Sequence, residues 1–271
     1  MRSRFISAEE KQKAQAFLES KQEHMVFVLG AGRSGTQWLC DLLGSVKNAA
    51  FYHEPNFRDD VATMDQLRRD PVLAQEYWRE FRSVEVYKRW REQPGALHYG
   101  EVNGTIRYHA PAIRALYPRA KCFLLARDGR AFVRSVMGFP EFYGARSYGA
   151  YALAPLRGDP LESGWSGLSR FEKICWGWRD TYEFLIATNP PHTWLLFERL
   201  LSDFDYFQAR LTSAIDVPIA PGRWRSGTSK QSRNSTTAHA FPDWEQWSRG
   251  QQEAFVRICG ETMTKLGYPA L

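Results

Sequence analysis

The run from Val26 to Leu43 reads VFVLGAGRSGTQWLCDLL: an apolar stretch, a glycine-rich turn, then the spacing of a helix. In GAGRSGT, Gly30, Gly32 and Gly35 let the backbone turn its N–H groups inward, and the helix start that follows adds its dipole. Such a turn binds an anion, phosphate being the obvious one. Arg33 can add a charge-assisted contact, and Ser34, Thr36 and Gln37 can add side-chain donors. In a loop built for a magnesium triphosphate, a lysine reaches the β and γ phosphates and the next hydroxyl holds the metal. Here Thr36 stands in the lysine position and is followed by Gln37, a poor magnesium ligand. The loop therefore suits a nucleotide with fewer phosphates and no essential metal.

GAGRSGTQWL resembles the 5′-phosphosulfate loop of sulfotransferases that use 3′-phosphoadenosine 5′-phosphosulfate (PAPS) as donor. Its arginine is similar to the carbohydrate, tyrosylprotein and bacterial branches; the cytosolic branch has lysine there. Gln37 departs from the family pattern, which has Thr or Ser. A second stretch, CFLLARDGRAFVRSVM, resembles the family's 3′-phosphate site, with Arg127 at the end of a strand and Ser135 on the helix that follows. The placement is physically sensible, because open α/β sheets bind ligands at the carboxyl ends of their strands. TWLLFERLLSDFD and the C-terminal DWEQWSRGQQEAFVRICGETMTKLGY resemble later family elements, so the likeness runs from about Met25 to Tyr268.

The resemblance implies PAPS as co-substrate, no metal, and an acceptor hydroxyl or amine on a small molecule, glycan or lipid. It implies donor contacts from Gly32, Arg33, Ser34, Gly35, Thr36, Gln37, Arg127 and Ser135. Family members close a basic C-terminal loop over the 3′-phosphate, which here points to Lys230 or Arg233; a solvated basic loop is the alternative. Sulfuryl transfer then needs charge stabilisation at the bridging oxygen, a hold on the bisphosphate, and a base for the acceptor proton. Arg33 suits the first role, because its fixed guanidinium can bridge phosphate and sulfonate oxygens. For the base, Glu54 in YHEPNF stands at a distance from the loop similar to that of the family's catalytic glutamate, with His53 as the competitor. Adjacent strand residues point to opposite faces, so one of the two is expected to face the acceptor. Glu101, a further carboxylate, is expected in a structural ion pair, with orienting the acceptor as the alternative. Two other functions stay open: a nucleotide or sugar kinase with Thr36 and Asp128 as magnesium ligands, and a non-catalytic nucleotide-binding module.

Short apolar runs must carry these groups. Met25–Leu29, Lys121–Ala126 and Thr193–Glu198 read as such strands, with Ala49–His53 and the more polar His98–Gly104 as two further candidates, separated by helical patterns. Strands alternating with helices predict an α/β fold, three layers with a central parallel sheet flanked by helices, as in P-loop proteins. The 271 residues suit one domain, opened by a helix within residues 1–24. Residues 138–168 and 218–245 are rich in Gly, Pro, Ser and aromatics and read as loops over the acceptor and donor. Ten tryptophans fit either an aromatic core or an aromatic pocket.

A net charge of +6 favours anionic ligands but comes without a basic stripe or recognition motif, so nucleic acid is not the expected partner. Cys40, Cys122, Cys175 and Cys259 form no CxxC pair, which argues against a zinc site or disulfide framework. No N-terminal run is apolar enough for a signal peptide or anchor, and the expectation is a cytoplasmic protein without a membrane span. Oligomeric state is not legible.

Overall fold

The computed structural model describes residues 6–145, 147–229 and 241–269. Helix α1 (Ala8–Lys21), capped by Ser7, leads into β1 (Met25–Gly30), and α2 (Thr36–Leu43) follows the glycine turn. β2 (Ala49–His53) is joined to β3 (His98–Asn103) by α3 (Phe57–Arg69), α4 (Pro71–Tyr77) and α5 (Ser83–Arg91). Helix α6 (Ala110–Leu116), β4 (Lys121–Ala126) and α7 (Gly129–Met137) come next. An irregular segment then reaches α8 (Arg170–Thr188), where Ser169 and Glu172 form a capping box. β5 (Trp194–Leu196) is followed by α9 (Phe197–Ser202), the short α10 (Phe204–Phe207) and α11 (Ser213–Ile215), then α12 (Pro221–Thr228) and α13 (Arg249–Lys265).

The strands form one parallel sheet in the order β2-β3-β1-β4-β5. β1 lies at the centre, and all six of its residues are buried. Its side chains alternate between two cores, as a strand covered on both faces must. Met25, Phe27 and Leu29 face one, Val26 and Val28 the other, and β4 divides Cys122 and Leu124 from Phe123 and Leu125 in the same way. Most of the tryptophan content belongs to these cores: Trp78, Trp90, Trp176, Trp178, Trp224 and Trp247 are all buried. The four cysteines are buried free thiols.

The expected parallel α/β architecture is present, with two differences. The fifth strand is shorter than Thr193–Glu198, because Phe197 already begins α9 and Glu198 turns to accept from the Asp128 N–H (3.0 Å) and the Tyr268 hydroxyl (2.8 Å). Residues 221–228, expected inside a loop, form helix α12. Pro221 starts it, and Trp224 buries its ring and donates to the Leu200 carbonyl (2.9 Å), so the aromatic there belongs to the core. Among the described residues no helix is long and apolar enough to cross a membrane.

Because every strand runs the same way, five strand ends meet at one edge of the sheet. Each contributes to a single cavity of about 900 Å³: Ala31, Gly32, Arg33 and Gly35 after β1, His53 and Glu54 at β2, Gly104, Thr105 and Arg107 after β3, Arg127 after β4 and Phe197 after β5.

Candidate active site

The glycine turn is shaped by left-handed backbone. Arg33 has φ 72° and Gly35 φ 83°, and Gly35 is the N-cap of α2 with no side chain to offer the first-turn N–H groups. Those donors are left for a ligand, and the helix dipole favours an anion there. Gly35 is required sterically as well, since a Cβ built on it would lie 2.0 Å from the Phe197 ring.

Two arginines flank the turn. Arg127 donates from Nη1 to the Arg33 carbonyl (2.6 Å). The Arg127 Nε is fully enclosed with no protein acceptor among the described residues. Arg33 lays its guanidinium over Phe139 at 4.4 Å and donates from Nε to Ser135 Oγ (3.1 Å). Burial, and for Arg33 the neighbouring Arg127 charge, pulls both guanidinium pKa values down. Two cations that are costly to bury and close enough to repel are stabilised by an anion placed between them.

The other loop residues differ in where they point. Gln37 lines the cavity, its amide donating to Asp41 (2.9 Å). Thr36 shares a hydrogen bond with His53 Nε2 (2.9 Å). Ser34 turns its hydroxyl into the core, against the Tyr182 hydroxyl at 2.8 Å, while Tyr182 donates to the Leu125 carbonyl; its side chain is not one of the cavity's donors. Ser135 accepts from Arg33 of the glycine turn, not from the strand-end Arg127 with which it was expected to share a phosphate. Lys230 and Arg233 lie outside the described residues. From the same basic stretch, Arg223 on α12 lines the cavity and donates to the Ser45 hydroxyl (3.1 Å).

His53 and Glu54 both line the cavity, contrary to the expected alternation. The reason is backbone geometry: Glu54 has φ 45°, so the strand has already ended and the side chain is swung back beside His53. Glu54 Oε1 accepts the Gly104 N–H (3.1 Å), while Oε2 has no protein donor among the described residues. The turn that carries it is clamped from behind. Arg89 donates to the Pro55 carbonyl (3.0 Å), and the buried Arg82 donates to Asn56 (2.8 Å). Glu101 is part of this clamp: it pairs with Arg82 at 2.6 Å, accepts from Tyr99 and Asn103, and is fully buried. Three of the four non-glycine residues with positive φ among those described, Arg33, Glu54 and Tyr143, line this one cavity. Strain of that kind persists where the surrounding structure enforces it, and it clusters at functional sites.

Another part of the cavity wall is apolar. Phe57, Val61, Phe142, Tyr151 and Ile174 line it together with Phe139, so the irregular segment after α7 supplies part of the wall. Arg107 also lines it, a residue that sequence reasoning passed over although it follows the end of β3 by four positions.

No protein-family model matches this chain, and no curated protein does. A solved structure of sulfotransferase STF9 from Mycobacterium avium is similar in fold, with a TM-score of 0.52 at 13% identity over 95% of this chain and 82% of that one. Sulfotransferase STF1 from Mycobacterium tuberculosis H37Rv aligns with a TM-score of 0.46 at 13% identity, over 92% and 81%. The protein is thus an α/β protein whose parallel five-stranded sheet, flanked by helices, has the fold of a sulfotransferase, an assignment that rests on the STF9 likeness.

Proposed function

We propose that this chain is a PAPS-dependent sulfotransferase. The observation that carries the reading is a juxtaposition: Arg33, Arg127 and the open N-terminus of α2 gather at one cavity with Glu54 and His53, and Ser135 holds Arg33 in place. An anion cradle and an acid–base pair in one cleft are what transfer of a charged group to a hydroxyl requires. The enclosed Arg127 Nε, which lacks a protein acceptor among the described residues, fits a donor phosphate. Arg127 and Ser135 would hold the 3′-phosphate, and the loop N–H groups with Arg33 the 5′-phosphosulfate. PAPS, when bound, supplies a sulfuryl group on a phosphate leaving group.

The protein's own part is positioning and charge. Arg33, fixed by Ser135 below and Phe139 above, stabilises negative charge where the leaving oxygen lies. Glu54 has one oxygen fixed by Gly104 and the other without a protein donor among the described residues, so it can take the acceptor proton. His53 is tied through Nε2 to Thr36 and braces the loop against β2. Against a magnesium–triphosphate reading, the Asp128 carboxylate caps α7 and pairs with Arg130 instead of facing the loop.

The test compares adenosine 3′,5′-bisphosphate with ATP–Mg²⁺ by thermal shift, since a ligand of the native state raises its apparent stability. The bisphosphate should raise Tm more than ATP–Mg²⁺ does, and Arg127→Ala should weaken its binding by about 3 kcal/mol, roughly a hundredfold or more. A preference for ATP–Mg²⁺ would favour the kinase. Bisphosphate binding without sulfation of any acceptor, with labelled PAPS as donor, would leave a nucleotide-binding module.

A further inference from the structure

Resting on the sulfotransferase reading, we propose that the acceptor is a hydrophobic, ring-bearing hydroxy acid whose carboxylate is read by Arg107. Arg107 lines the same cavity as the candidate base and the apolar wall, and its surroundings are unusual for a cation. Its Nη1 donates to the Gly104 carbonyl (2.7 Å), its Nε to Thr181 Oγ (3.0 Å), and its guanidinium lies 4.9 Å from the Tyr108 ring centre. All three partners are neutral. Among the described residues no carboxylate forms an ion pair with it, and Nη2 has no acceptor. Asp180, next to Thr181 on α8, is engaged elsewhere: it pairs with Arg68 (3.4 Å) and accepts from the Tyr108 hydroxyl.

A half-buried guanidinium held rigidly by neutral groups, with one edge facing a cavity, is ready for a single anionic partner. One guanidinium balances one negative charge, which favours a carboxylate over a doubly charged phosphate. The neighbouring wall of Phe57, Val61, Phe139, Phe142, Tyr151 and Ile174 has few polar groups to satisfy the many hydroxyls of a glycan, and it suits a flat or alicyclic hydrocarbon body. Position adds a further argument. Gly104 donates its N–H to Glu54 and offers its carbonyl to Arg107, so one residue fixes the base and the anion reader relative to each other. A substrate held by its carboxylate on Arg107 presents a hydroxyl elsewhere on its ring system to Glu54. In the reaction the acceptor O–H proton passes to Glu54 as the new O–S bond forms, and the bond from sulfur to the phosphate oxygen of PAPS breaks with its electron pair on the bisphosphate.

The test uses a panel of phenolic and steroidal hydroxy acids, each beside its methyl ester, on the full chain with adenosine 3′,5′-bisphosphate present. Direct binding is measured by calorimetry, and sulfation with labelled PAPS. At least one acid should bind tenfold or more tightly than its ester, and the acid-to-ester ratio of kcat/KM should show the same preference. Arg107→Gln and Arg107→Lys should lower the binding preference tenfold or more in the glutamine variant and less in the lysine variant. Bisphosphate affinity serves as the control that each variant is folded. Acids that bind no better than their esters, or a preference that survives Arg107→Gln, overturns the assignment. Acid preference without sulfation or bisphosphate binding would instead uphold the Arg107 site and overturn the sulfotransferase reading.

Discussion

At the residue scale the site turns on a few side chains held in costly conformations. Arg33 and Glu54 both sit at positive φ, a region that non-glycine residues enter at a cost of about 1–3 kcal/mol each. The gain is convergence: each reaches the cavity from a position where regular structure would have aimed it away. Glu54→Gln should slow transfer about a hundredfold or more while leaving bisphosphate affinity unchanged, because the amide keeps the contact with Gly104 but cannot take a proton. His53→Gln, which can still bond Thr36, should retain most of the turnover. Single-turnover kinetics of both variants decides the assignment: an equal or larger loss in the histidine variant would hand the base role to His53.

At the element scale the close approach of α9 to the glycine loop is the tightest constraint. Gly35 adopts φ 83° directly beneath Phe197, so a methyl there meets both a disfavoured backbone and an occupied space. Gly35→Ala should cost roughly 2–4 kcal/mol of stability, from strain and overpacking together, and should weaken the bisphosphate site by displacing the loop. Urea denaturation and calorimetry check the two parts, and unchanged values in both would remove Phe197 as the reason for the glycine. The turn after β2 is fixed differently, by buried charge. Arg82 holds Asn56 directly and Asp60 at 3.3 Å, tying the start of α3 to Glu101 on β3. Burial opposes the charge on Arg82, but Asp60 and Glu101 more than offset that and push its pKa up.

At the scale of the whole molecule this cluster links stability to pH. Two carboxylates share one guanidinium away from water, and burial pushes the Asp60 carboxyl up to about 7 from its ordinary 3.8, despite the opposing pull of Arg82. The folded chain therefore holds a proton that the unfolded chain has released over that interval. The contribution is fully present below about 3.8 and is lost as the pH rises through about 7. Tm should decline between about pH 4 and about pH 7, and Asp60→Asn, which mimics the protonated form, should flatten the decline. A slope that is the same in the variant would place the titrating group elsewhere.

How much of this was legible beforehand follows the range of the interactions. The glycine turn, the missing lysine and the three strong apolar runs are local patterns, and period-two alternation of side-chain direction in β1 and β4 is enough to bury both faces of a parallel sheet. The strand-end positions of Arg127 and Glu54 were readable for the same reason, since parallel strands bring their carboxyl ends to one edge. The rest depended on contacts between residues far apart in the chain. Ser34 faces the core because Tyr182 on α8 takes its hydroxyl, and residues 221–228 are a helix because Trp224 has a core to enter. Glu54 joins His53 because Gly104, fifty positions later, holds its carboxylate, and Arg107 gained meaning only once Asp180 was seen to be occupied by Arg68. The sequence by itself determined the sheet and the anion-binding turn, because both arise from local periodicity and backbone freedom. Only the tertiary structure decided which side chains share the cavity, because that depends on left-handed turns and long-range partners that no local spacing encodes.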